Sequence, residues 1–132
     1  MSEIRNVILG IGGRLSTISG LRVYTRRPGT IEPPAAIISV QSIEYDLSFD
    51  KVEDATFLIT VFTQMGSDRG EDQLYSFMDK TGANSINSCI DGDQTLGGVV
   101  QFSNVTRVQT PGIATFAGMD YYAAAFEMVV GL

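Results

Sequence analysis

The sequence predicts an α+β domain: a mostly antiparallel sheet with a long β-hairpin, packed against an N-terminal helix and two central helices. Three observations predict it. An apolar stripe at helical spacing runs through residues 2–19. Two long strand-like segments follow, Ala36–Phe49 and Asp54–Met65. Two short helical stretches and then three further strands complete the chain, and consecutive strands with helices on one face make an α+β fold. A single domain spanning residues 1–132 accounts for the whole sequence, whose 44% hydrophobic and 18% charged residues are those of a folded globular protein.

The N-terminal stripe consists of Ile4, Val7, Ile8, Ile11, Leu15 and Ile18, with Ser2 as N-cap and Gly20 as the stop. Gly10, Gly12 and Gly13 interrupt it, each costing about 1 kcal/mol against alanine but permitting close approach by a neighbouring backbone. The same stretch resembles a strand entering a dinucleotide-binding turn. That pattern fails because Leu15 stands where its third glycine belongs, and no βαβ unit follows. Leu21–Thr25 is a short strand. Arg26–Pro34 is a loop restricted by three prolines, and Arg22, Arg26 and Arg27 form a basic cluster suited to solvent or to an acidic partner surface.

In the long hairpin, Ile43, Tyr45, Leu47 and Phe49 alternate with polar residues, the mark of one buried face. The returning strand is apolar on both faces (Phe57, Ile59, Val61; Leu58, Phe62) and so belongs inside the sheet, covered on both sides. Its tip reads as Asp50-Lys51-Val52-Glu53. Beyond it, Ser67 or Asp68 opens a helix with the inward stripe Leu74, Phe77, Met78 and Thr81, stopped by Gly82. Asp68, Glu71 and Asp72 suit the positive end of the helix dipole without any acid–base role. Ser85 caps a short helix, Ile86–Ile90, in which Cys89 reads as a small hydrophobe.

Asp91-Gly92-Asp93-Gln94-Thr95 faintly resembles a calcium loop, but Phe102 occupies the place of its bidentate acid. Gly97-Gly98 turns the chain into the strand Val99–Thr110, with Val100, Phe102 and Val108 on one face and Gln101, Ser103, Arg107 and Gln109 mostly on the other. Pro111-Gly112 is a turn. Ile113–Phe116, the turn Ala117–Asp120 and Tyr121–Val130 form a last hairpin. Glu127, the only charge of that last strand, is expected at a sheet edge or against a neighbouring subunit.

Composition excludes several function classes. No apolar run reaches about 18 residues, so no membrane-spanning helix is expected, and the N-terminus does not read as a signal peptide. One cysteine excludes an internal disulfide framework and fits a reducing compartment. A net charge of −6 argues against a basic nucleic-acid groove. The absence of histidine removes the commonest general base and the commonest zinc ligand. The sequence thus predicts no catalytic, cofactor-binding or metal-ligating residues. Asn104-Val105-Thr106 matches a glycosylation sequon, which has no meaning without a secretory signal.

In order and spacing the chain resembles the phage tail terminators, small neck proteins of long, non-contractile-tailed viruses, in a layout that recurs among tailed phages of actinobacteria. The resemblance spans nearly the whole chain. It lies in the N-terminal helix leading into Gly20-Leu21-Arg22-Val23-Tyr24, and the proline-rich loop feeding Pro34-Ala35-Ala36-Ile37-Ile38. The hairpin from Ser42 to Phe49 and Phe57 to Thr63 follows, then Ser67-Asp68-Arg69, Ser85-Ile86 and the run Asp93 to Val100. The resemblance implies a virion structural protein, made in the bacterial host cytoplasm and not an enzyme. Such a protein forms a hexameric ring on the tail tube, ends tube polymerisation and joins the tail to the head-completion or connector protein. Viral DNA would pass through the ring without specific binding. The hairpin tip (Asp50, Lys51, Val52, Glu53) and the arginines Arg22, Arg26 and Arg27 are the expected assembly contacts. Other readings are a different neck protein, a tail tube subunit or, from another class, a small ligand-binding domain or enzyme.

Overall fold

A computed structural model describes residues 3–26, 28–46, 51–65, 68–109 and 111–131, with backbone alone at 3, 44–46, 51–53 and 68. Its elements run α1 (Glu3–Leu15), β1 (Arg22–Tyr24), β2 (Ala35–Asp46), β3 (Lys51–Gln64), α2 (Asp68–Met78), α3 (Ile86–Asp91), β4 (Phe102–Val108), β5 (Gly112–Phe116) and β6 (Met119–Gly131). This is the expected α+β fold, with three helices and a six-stranded, mostly antiparallel sheet. The sheet order is β1-β2-β3-β6-β4, and β5 also pairs with β6. β4 takes the Phe126–Gly131 part of β6 and β5 the Met119–Ala123 part, so the two lie end to end along one edge. Pro111, which has no N–H to donate, stands between them. The exception to antiparallel pairing is β1 on β2, with Tyr24 opposite Ile37 as its last pair.

The helix stripe is buried as expected, but α1 stops at Leu15 rather than running to Gly20. Thr17 and Ile18 make i→i+3 bonds to Arg14 and Leu15, tightening the end, while the Ser16 and Thr17 hydroxyls donate to the Gly12 and Arg14 carbonyls. The glycines do admit close neighbours. A Cβ at Gly12 would strike Thr25 beside β1, and one at Gly10 would press on Leu96. α2 likewise ends at Met78, leaving Thr81 exposed. Its expected cap at Ser67 and the Asp68 side chain lies outside the described residues.

The helices cover one face of the sheet. There Val7, Ile11 and Leu15 of α1, Leu74 and Phe77 of α2, and Ile86 and Ile90 of α3 meet Phe57, Ile59 and Val61 of β3 and Phe126, Met128 and Val130 of β6. A smaller cluster (Ile31, Ala35, Phe62, Phe116, Tyr121 and Ala123) lies on the other face. Phe62 packs tilted on Phe116 and edge-on to Tyr121, both at 5.8 Å between ring centroids. β3 is therefore central, as expected, but its second face is fully covered only near Phe62; Thr56, Leu58 and Thr60 stay half-buried.

Two bulges explain misplaced faces. Val40 opposes Phe57 and Ser42 opposes Thr56, so Gln41 is an extra residue. The odd-numbered Ile43 thereby packs on the same core as the even-numbered Ala36 and Ile38. In β4 a second irregularity at Thr106 puts both Val105 and Val108 against the core. The expected faces of this strand are corrected accordingly. Ser103 is fully buried and donates to the Gln94 carbonyl at 2.8 Å, whereas Phe102 is 40% exposed. Its ring lies over Gly131, where no Cβ would fit. The last turn shortens to Ala117-Gly118, both with positive φ (53° and 81°), as a two-residue hairpin requires.

Candidate assembly interface

β2 and β3 form one hairpin with two unlike ends. Near the helices, β3 is paired on both sides, with β2 and with β6. The β6 ladder ends at Asp54 opposite Gly131, yet β2 and β3 continue through Tyr45–Val52 to Asp46–Lys51. Among the described residues this distal part is a two-stranded arm. β1 covers β2 only at Ala35–Ile37, so among the described residues the outer edge of β2 from Ile38 to Asp46 has no strand beside it.

This corrects the expected tip. Lys51, Val52 and Glu53 are residues of β3, not of the turn, and Glu53 is the extra residue of a bulge between the Glu44–Asp54 and Tyr45–Val52 pairs. Asp50, with Leu47 and Phe49, lies outside the described residues. Deleting Lys51–Glu53 would remove ladder residues from one strand only, so it would shift the arm's register rather than trim a loop. In sequence, the strand residues beyond the Asp54–Gly131 pair are Tyr45, Asp46, Lys51, Val52 and Glu53, two acids against one cation.

The basic cluster is rearranged in space. Arg22 pairs with Glu32 at 3.0 Å, both well exposed, an ion pair worth little to stability. Arg27 lies outside the described residues. Arg26 instead joins Arg5, which sequence reasoning missed, at a cleft of about 400 Å³ where β1 ends. Arg5 donates to the Thr25 carbonyl at 2.5 Å, fixing the start of α1 to the end of β1. Ile8, Ile38, Phe62 and Phe116 supply apolar walls. The signal for Arg5 was faint: it follows Ile4 at the margin of the helix stripe, and only the parallel docking of β1 brings it to Arg26.

Glu127 is not at an edge. β6 lies between β3 and β4, and the Glu127 carboxylate, 14% exposed, is paired with Arg107 of β4, directly opposite in the ladder. Cys89 is half-buried, its thiol donating to the Arg14 carbonyl at 2.9 Å while the Arg14 guanidinium donates to the Cys89 carbonyl at 2.8 and 3.1 Å. The reciprocal bonds lock α3 to the end of α1. In the calcium-like stretch, the Asp93 carboxylate accepts from the Thr95 hydroxyl and the Gly97 N–H, so it caps a turn. Among the described residues no group of His, Cys, Asp and Glu could hold a metal ion, and no helix is long and apolar enough to cross a membrane.

Tyr75 of α2 donates to Glu71 at 3.1 Å. That bond first, and the Glu71 charge second, raise the phenol above its ordinary 10.0.

No protein-family model matches the chain, and no curated protein matches it.

Proposed function

We propose that this chain is a virion structural protein of the tail-terminator kind. Six copies close into a ring that caps the tail tube, ends its polymerisation and presents a surface to the head connector. The viral DNA passes through the ring without specific binding. The reading rests first on the resemblance of element order and spacing. The observation that carries it is the arm. A two-stranded ribbon is marginal in water, and this one outruns the sheet that would hold it. Such a ribbon gains most of its stability from a surface it docks on. The half-covered outer face of the sheet and the open β2 edge are further surfaces of the kind that assembly uses.

Light scattering over a concentration series, with negative-stain images of the same fractions, tests the reading. Closed six-fold rings that do not lengthen, with a hole wide enough for duplex DNA, are expected. Long tubes would make the chain a tube subunit instead. A monomer that purified tail tubes fail to recruit would contradict both.

A further inference from the structure

We propose that the Glu53 bulge is a hinge on which the two-stranded arm swings in the free chain, its direction becoming fixed when the arm docks. The docking half rests on the reading that the chain assembles; the hinge is a property of the single chain. The β2–β3 hairpin holds two register shifts of one kind, an extra residue in one strand. Gln41 is the extra residue of β2, between the Val40–Phe57 and Ser42–Thr56 pairs. Glu53 is the extra residue of β3, between the Glu44–Asp54 and Tyr45–Val52 pairs. A bulge leaves its extra residue out of the ladder, bends the strand and raises the local twist. Whether it also flexes depends on what else holds the strands at that point.

The two bulges differ in that support. At Gln41 the opposing β3 residues are held from their other side by β6, Phe57 by Met128 and Thr56 by Val129. Phe57 is fully buried in the main core. The Glu53 bulge comes directly after Asp54–Gly131, where the β6 ladder ends. Beyond it the described ladder is β2 on β3 alone, through Tyr45–Val52 and Asp46–Lys51. The ladder is thus interrupted at the point where the hairpin leaves the sheet, and bending concentrates there: the strand is fixed on one side of the break and weakly held on the other. Register does not oppose the motion. One extra residue in each strand cancels the offset, so Tyr45–Val52 continues the register of Val40–Phe57. Pairing and alternation are whole in both body and arm, and direction is what the bulge leaves free. A few residues that absorb backbone rotation between two ordered parts make a hinge.

NMR residual dipolar couplings of backbone amides test the hinge, in the weakly aligned monomer of the full chain and in two one-residue deletions. Deleting Glu53 removes the extra residue and keeps every ladder pair, and deleting Gln41 does the same at the supported bulge. Amides of Phe57–Thr63 should define the alignment of the body. Wild-type couplings at Tyr45, Asp46, Lys51 and Val52 should be smaller than that alignment requires by about a sixth or more, the drop that separates flexible from rigid backbone. Deleting Glu53 should restore their full size, and deleting Gln41 should not. Wild-type arm couplings at full size overturn the hinge. So do couplings that stay small without Glu53, which would mean a fraying ribbon. Should the Glu53 deletion not fold, the wild type still decides: a hinge reduces the Tyr45–Val52 and Asp46–Lys51 pairs equally, whereas fraying reduces the second pair more. Hydrogen exchange of the same amides in assembled fractions reads the docking, and protection gained on assembly is expected. Reduced couplings in the monomer with no protection gained, or with no assembly at all, keep the hinge and remove the docking; full-size couplings in a chain that forms rings remove the hinge and keep the ring.

Discussion

The two ends of the β2–β3 hairpin share strands and pairing geometry but not surroundings. At the body end, Phe57, Ile59 and Val61 are fully buried, with strands on both sides and helices above. At the arm end, Lys51–Glu53 have β2 alone for a neighbour among the described residues. The difference teaches that strand formation and fold stability separate along one element. The body end holds the domain together, and the arm end is extended without being needed for the core.

The largest test of that contrast is a core truncation. Phe57→Ala should destabilise the domain by about 3–5 kcal/mol in denaturant unfolding, because the site is wholly enclosed. In the same strand, Val61→Ala should cost about 2 kcal/mol. Val52→Ala should cost less, because among the described residues the ladder there has β2 alone beside it. If the two valines cost the same, the arm belongs to the folding unit and the contrast fails.

Gly70 sharpens the body side. It is buried where α2 passes the end of β3, and an added Cβ would fall against the Gln64 carbonyl. Gly70→Ala should cost about 3 kcal/mol unless α2 shifts outward. Ser85 is a smaller lever. Its hydroxyl accepts from the Ser88 N–H and donates to the Asp79 carbonyl, so Ser85→Ala should lower stability by about 1 kcal/mol.

The smallest effect is electrostatic. The raised pKa of Tyr75 means that the fold favours the neutral phenol. That contribution is complete below the unfolded phenol's pKa and is lost as pH rises through the folded one. Carbon-detected NMR titration of the tyrosine rings should show the Tyr75 midpoint falling in Glu71→Gln. An unchanged midpoint would mean that Glu71 is not the cause.

What the sequence made legible was periodicity. The helix stripe and the central position of β3 follow from 3.6- and 2-residue repeats, and the Ser85 cap from its place before Ile86. What it hid came from features that interrupt a repeat or depend on distant pairing. The bulges at Gln41 and Thr106 changed which residues share a face, and put Ser103 inside and Phe102 outside. The parity shift from Ala36 and Ile38 to Ile43 was the visible sign of the first. The tip was read to include Lys51, Val52 and Glu53 because Asp50-Lys51-Val52-Glu53 is mostly polar, yet backbone pairing along a strand places no demand on polarity. Glu127 looked like an edge residue because its partner Arg107 sits in another strand. The Arg5–Arg26 pairing depends on β1 docking parallel to β2, which no local pattern encodes.

The central claim is that the body is self-sufficient and the arm is completed by assembly. Amide hydrogen exchange across the hairpin, in monomeric and in assembled fractions of the same protein, tests it most directly. Amides of Phe57–Thr63 should be strongly protected in both fractions. Those of residues 44–46 and 51–53 should exchange quickly in the monomer and become protected on assembly. Arm amides protected as strongly in the monomer as in the assembly, or left unprotected in both, would contradict the account.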